Sequence, residues 1–187
     1  MSGAGHGAVE GSNKRVALLI SVLALFLAGA ETLAKSAQTE ALGANVEASN
    51  QWAFFQARTI RSTVLKTADD ALALVPPGGG DAAAIAAKRA DYAKTLARWE
   101  SEPATGEGRK ELAEKARLSG EHRDLALGRY HHYEIASAAF QIGIVLASAE
   151  VITGIVALAV GGGLLGVAGI VLAAFGLFAP HALPFFH

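Results

Sequence analysis

The sequence predicts an all-α membrane protein: three transmembrane helices, with a long helical-hairpin stalk between the first and second spans. Three observations lead there. Residues 16–34 are apolar except for Glu31 and a few small hydroxyl side chains, and residues 135–159 and 164–179 form two further apolar runs. Each is close to the roughly 20 residues that cross a bilayer as a helix. The chain is 52% hydrophobic with a mean hydropathy of +0.34, more apolar than an ordinary soluble domain of 187 residues. No proline follows the first run until Pro76, so a helix that starts in the membrane has nothing to stop it for another forty positions.

Charge and cysteine content narrow the function classes. Sixteen Lys and Arg stand against 17 Asp and Glu, so no basic surface for nucleic acid is expected, and nucleic acid is not an expected partner. The absence of cysteine removes disulfide frameworks, thiol catalysis and thiolate metal ligation together.

In chain order, residues 1–13 are a Gly, Ser and Ala tail without periodicity and are expected to be disordered. The first span is assigned to residues 14–35. Ala28-Gly29-Ala30 near its end has the small-residue spacing of a signal-peptidase site, which makes a cleaved signal peptide the alternative to an uncleaved anchor. The helical register favours the anchor, because it passes straight through Glu31 into the stalk. There Ala37, Ala41, Ala44, Ala48, Trp52 and Phe55 recur at three- and four-residue steps, and Ala53, Ala57, Ile60, Val64, Ala68, Ala71 and Val75 extend the stripe to the tip.

Residues 36–134 are expected to form the extramembrane hairpin, with helices at 36–75, 81–100 and 107–134. The run from Pro76 to Gly80 is the turn, Asp81 is the N-cap of the second helix, and residues 103–108 break the descending arm. Lengths agree with this layout. Residues 35–75 rise about 60 Å, and the two shorter helices rise about 30 and about 40 Å, at roughly 1.5 Å per residue. Two alanine-rich helices bury little area alone, so Trp52, Phe54 and Phe55 are expected to form an oligomer or partner surface.

Residues 135–180 are expected to be a transmembrane hairpin, with helices at 135–160 and 163–179 joined by Gly161-Gly162-Gly163. Residues 181–187 form an interfacial tail. Gly143, Gly162, Gly166 and Gly169 carry the small-residue spacing that lets helix backbones approach closely in lipid. Flanking charge gives two answers on orientation. Lys14 and Arg15 before the first span favour a cytoplasmic N-terminus and a periplasmic stalk, while Arg123 and Arg129 favour the reverse. The first helix usually dominates, which tips the expectation toward a periplasmic stalk.

Candidate chemistry is sparse. Gly161-x-Gly163-x-x-Gly166 matches a dinucleotide fingerprint formally, but too little chain follows for a nucleotide-binding fold and no acidic residue follows for a ribose hydroxyl. No cofactor is expected. Tyr130-His131-His132-Tyr133-Glu134 holds two adjacent histidines that point about 100° apart on a helix and do not share a metal from this segment, so interfacial anchoring is expected instead. No catalytic residue and no metal ligand is assigned. Glu150 stands about 15 residues into the second span, where an ionisable group is costly. With Gln141, Ser148 and Thr153 on the same helix, it defines a candidate ion path. The competing reading is a neutral carboxyl hydrogen-bonded to a neighbouring helix. Glu31 is expected at the interface near His131 or His132.

Asn13-Lys14-Arg15-Val16-Ala17-Leu18-Leu19-Ile20, the run from Ala34 to Glu40, and the core Ala48-Ser49-Asn50-Gln51-Trp52-Ala53-Phe54-Phe55-Gln56-Ala57-Arg58-Thr59-Ile60-Arg61 resemble an uncharacterised bacterial inner-membrane family, domain of unknown function 4337. Residues 132–153 resemble its second-span region. The resemblance implies a bacterial inner-membrane protein and supplies no activity, ligand or catalytic residue. The expected function is therefore that of a non-enzymatic, self-associating scaffold or accessory subunit. Its expected partners are the lipid bilayer and either further copies of itself or another membrane protein. The alternative is an ion- or proton-translocating component built on Glu150.

Overall fold

The computed structural model describes the backbone of residues 4–76 and 79–180, and side chains within those ranges from Lys14 onward. Four helices make up the fold: α1 (Ala4–Ala73), α2 (Ala82–Glu100), α3 (Arg109–Thr153) and α4 (Val156–Phe178), with no strand among the described residues. Three of them, α1, α3 and α4, are long and apolar enough to cross a membrane. The chain divides into two compact units, one of Met1–Leu42 with Arg123–His187 and one of Gly43–His122.

The first unit is built from the N-terminal part of α1, the C-terminal part of α3, and α4. Its helices are packed on small residues. Along α1 the buried positions Val16, Leu23, Ala30 and Ala37 recur every seven residues, the 3.5-residue period that keeps one seam facing its neighbours. Along α4 the buried positions are Gly162, Gly166, Gly169 and Gly176. The large apolar side chains point the other way: Leu18, Leu25, Ile142, Val145, Leu164, Val167 and Phe178 are all more than half exposed. A water-soluble bundle would bury these and expose polar groups. This reversal suits a lipid surround, where close backbone packing rather than apolar burial draws helices together.

Glycine is required at particular crossings. A methyl at Gly162 would stand 2.6 Å from the Gly143 carbonyl oxygen, and one at Gly143 would stand 2.9 Å from that of Gly162, so α3 and α4 meet backbone to backbone. The Phe140 ring fills the space over Gly169, where a Cβ would lie 2.7 Å from its edge. Phe140 is 1% exposed and stacks on Phe26 with centroids 5.9 Å apart. Leu23, Ala30, Ala136 and Phe140 form the centre of this core.

The second unit is held mainly by polar clasps, because α2 buries no residue. Asp81 caps α2 as expected from the sequence, accepting from the amides of Ala83 at 2.9 Å and Ala84 at 3.2 Å. Arg89 on α2 grips Asp69 on α1 with two hydrogen bonds, at 2.9 and 3.3 Å. That guanidinium holds the Asp69 carboxyl below the usual carboxylate range. Arg109, the first residue of α3, ties three segments. It donates to Thr59 Oγ1 on α1 at 3.0 Å and to Glu100 Oε2 on α2 at 2.9 Å, and its guanidinium lies 5.2 Å from the Phe55 ring centroid. Glu111 closes the connecting loop by accepting from Ser101 Oγ at 2.6 Å and the Glu102 amide at 3.1 Å. The Ser101 hydroxyl is the main reason that carboxyl sits below its ordinary value.

Three features differ from the sequence reading. The tail expected at residues 1–13 is helical from Ala4, since no proline interrupts those positions and α1 runs on through them. The hairpin of α3 and α4 does not turn at Gly161-Gly162-Gly163. It turns at Gly154 and Ile155, where Gly154 adopts φ of +70°, a left-handed conformation that costs glycine little. The three glycines lie inside α4 instead, where their missing side chains serve packing. The stalk's single stripe is in fact two stripes on different faces, described below. The tail expected at residues 181–187 lies outside the described residues, as do Pro77 and Gly78 of the tip.

Candidate functional site

Within the second unit, α1 carries two seams. One faces inward: Ala48 and Ser62 are buried, and Ala44, Gln51, Phe55, Arg58, Leu65 and Asp69 between and beyond them are half-buried. The other faces outward. Val46, Ala53, Ile60, Thr67 and Leu74 recur every seven residues, interleaved with Asn50, Ala57, Val64 and Ala71, and all nine are exposed. Ala48 and Ala53 stand about 140° apart around the helix at 100° per residue, so the seams lie on nearly opposite faces. The outward seam holds no charge, with Val46 at 59%, Ile60 at 65% and Val64 at 64% exposure.

Steps of three and four in sequence run from one seam onto the other and read as a single stripe. Ala37 to Ala48 belongs to the inward seam, whereas Ala53, Ala57, Ile60, Val64 and Ala71 belong to the outward one. Of the aromatic trio expected at a partner surface, Phe55 is half-buried beneath Arg109. Trp52 packs on it edge to face, with centroids 5.4 Å apart, and Phe54 is 62% exposed beside a cleft. The seven-residue recurrence of Val46, Ala53, Ile60, Thr67 and Leu74 is the signal in the sequence that separates the two faces.

The candidate ion path is arranged differently from its expectation. Glu150 is 4% exposed, and its Oε2 has no hydrogen-bond partner among the described residues. It lies in the last turn of α3, where its carbonyl accepts from the Gly154 amide at 2.7 Å, so it belongs to the hairpin turn rather than the middle of the span. Ser148 and Thr153 donate to carbonyls of their own helix, Ile144 at 2.8 Å and Ala149 at 2.8 Å. Gln141 donates to Glu31 Oε1 at 3.2 Å. No hydrogen bond joins the four residues to one another among the described residues, and Glu31 accepts from Gln141.

At the other end of the same unit, Tyr130 donates to Glu134 Oε1 at 3.1 Å and His131 Nδ1 lies 3.7 Å from Glu134 Oε2. His132 points inward, fully buried, and donates from Nδ1 to the Gly128 carbonyl at 2.7 Å. The adjacent histidines thus diverge, as a helix requires. Among the described residues no group of three or more metal-ligating side chains forms.

The model of Domain of unknown function (DUF4337) matches residues 12–179. The chain belongs to the DUF4337 family. No curated protein and no solved structure matches it. The match runs from the start of the first apolar run to the end of α4, so in this DUF4337 chain the outward seam, the glycine crossings and Glu150 all lie inside the family domain.

Proposed function

We propose that this DUF4337 protein is a non-enzymatic, self-associating multi-pass protein of the bacterial inner membrane, a scaffold that projects its second unit from the bilayer and assembles through the outward seam of α1. The observation that carries this reading is the uncharged seven-residue repeat from Val46 to Leu74, left exposed opposite a seam of the same period that the chain fills itself. A heptad seam without charge fits another heptad seam. A second copy supplies a matching one at no further cost in sequence, and membrane anchoring sets the copies parallel, so that identical residues meet across a two-fold or cyclic axis. Asn50 then fixes register, as a polar side chain at a heptad core position does. Lys14 and Arg15 favour the periplasm for the projected unit.

The chain has no cysteine, so a single introduced one reports directly. Ile60→Cys in intact membranes is expected to give disulfide-linked dimer on mild oxidation, and Leu118→Cys, exposed on α3 away from the seam, is expected to give none. Monomer from both variants contradicts the assembly.

Ion or proton translocation is a second reading, favoured by the burial of Glu150 and its unpartnered Oε2. Under it, Glu150→Gln abolishes a proton or cation flux measured with the purified protein in liposomes. Absence of flux in the unmodified protein removes this reading.

A further inference from the structure

In the second unit a cleft of about 470 Å3 opens between α1 and the loop that leads into α3, a volume within the range of small-molecule sites. Phe54 and Leu112 give it an apolar lining, and Arg58, Arg61 and Lys115 bring three cations to it against one carboxylate, Glu107. Two of the cations are held in position by the protein. Lys115 Nζ donates to the Gly106 carbonyl at 2.8 Å, and Arg58 Nη2 bridges Glu107 Oε2 at 3.3 Å. Gly106 has φ of +68°, and a Cβ there would stand 2.7 Å from Lys115 Nζ, so the glycine both makes the turn and leaves room for the ammonium group. Arg61 has no hydrogen-bond or ion-pair partner among the described residues, which leaves its five donors available.

We propose that this cleft binds a phosphate monoester with a short apolar or aromatic body, its phosphate between Arg61 and Lys115 and its body against Phe54 and Leu112. Three cations less one carboxylate leave two positive charges, which match the charge of about −1.5 to −2 on a phosphate monoester near neutral pH. A guanidinium presents donors in a fork that suits phosphate oxygens, and an ammonium adds a point charge beside it. Ala57 of the outward seam borders the cleft, whereas Glu150 takes no part in it.

The test is calorimetric titration of the full chain in phosphatidylcholine nanodiscs with two probes, phenyl phosphate for a soluble ester and dihexanoyl phosphatidate for a lipid-derived one. At least one probe is expected to bind, and Arg61→Gln and Lys115→Gln are each expected to weaken it tenfold or more, while Lys94→Gln on α2 leaves it unchanged. Binding of phenyl phosphate alone assigns a soluble ligand, and stronger binding of phosphatidate assigns a lipid-derived one. Arg61→Gln serves as the decisive variant because removing an unpartnered side chain leaves the fold intact. Failure of both probes to bind, or binding by Arg61→Gln equal to that of the unmodified protein, overturns the proposal.

Discussion

Gly162→Ala is expected to destabilise the protein by about 2 kcal/mol in detergent or lipid, in the range measured for overpacked interiors. The added methyl would meet the backbone oxygen of Gly143 at 2.6 Å and the Ala147 nitrogen at 3.4 Å. Neither is the end of a flexible side chain, so α3 and α4 must separate, and the backbone contact that joins them weakens along the whole crossing. Gly163 is the matched control. A Cβ there meets nothing within 4 Å, and alanine is the better helix former by up to about 1 kcal/mol in water. Gly163→Ala is therefore expected to be neutral or stabilising. Thermal unfolding of the two variants in nanodiscs checks both signs at once, and equal destabilisation by the two contradicts the crossing.

The second large effect is expected at Phe140. Phe140→Ala empties the space between Phe26 and Gly169 and leaves a cavity at the centre of the first unit. In water such a deletion costs about 3–5 kcal/mol, of which part is lost apolar transfer. Measured in nanodiscs, where lipid supplies little of that part, the packing loss alone, about 2–3 kcal/mol, is expected. Phe178, 82% exposed at the end of α4, makes the contrasting site. Phe178→Ala is expected to change stability by less than about 0.5 kcal/mol, as surface substitutions do. A large loss at Phe178 with none at Phe140 would mean that the apolar faces are turned the other way.

These residues also show what the sequence made legible. The three apolar runs, the cap at Asp81 and the break before α3 follow from local chemistry, namely run length, a carboxylate ahead of an alanine series, and Pro103 with Gly106 and Gly108. The hairpin turn was hidden because glycine has opposite uses on the two sides of an interface. In water three glycines in a row mark a break. In a helix packed through its backbone, Gly162 is the residue that makes contact, and the single Gly154 with positive φ makes the turn. The placement of Glu150 follows from that boundary: a turn seven residues earlier carries it from mid-span to the helix end. The two seams of α1 were hidden for another reason. Steps of three and four fit either face of a helix locally, and only the seven-residue recurrence over the full length keeps Ala48 apart from Ala53. The clasps of Arg109 and the cleft at Gly106 join positions about 50 residues apart, which no local pattern encodes.

Assembly through the outward seam is read from the particle mass of the full chain, extracted in native lipid particles and measured by native mass spectrometry. The expected result is one closed oligomer, a whole multiple of two or more chains, that falls to a single chain when Ile60→Asp places a charge in the seam. A lone chain in the unmodified protein, with or without a different protein bound to it, would contradict it.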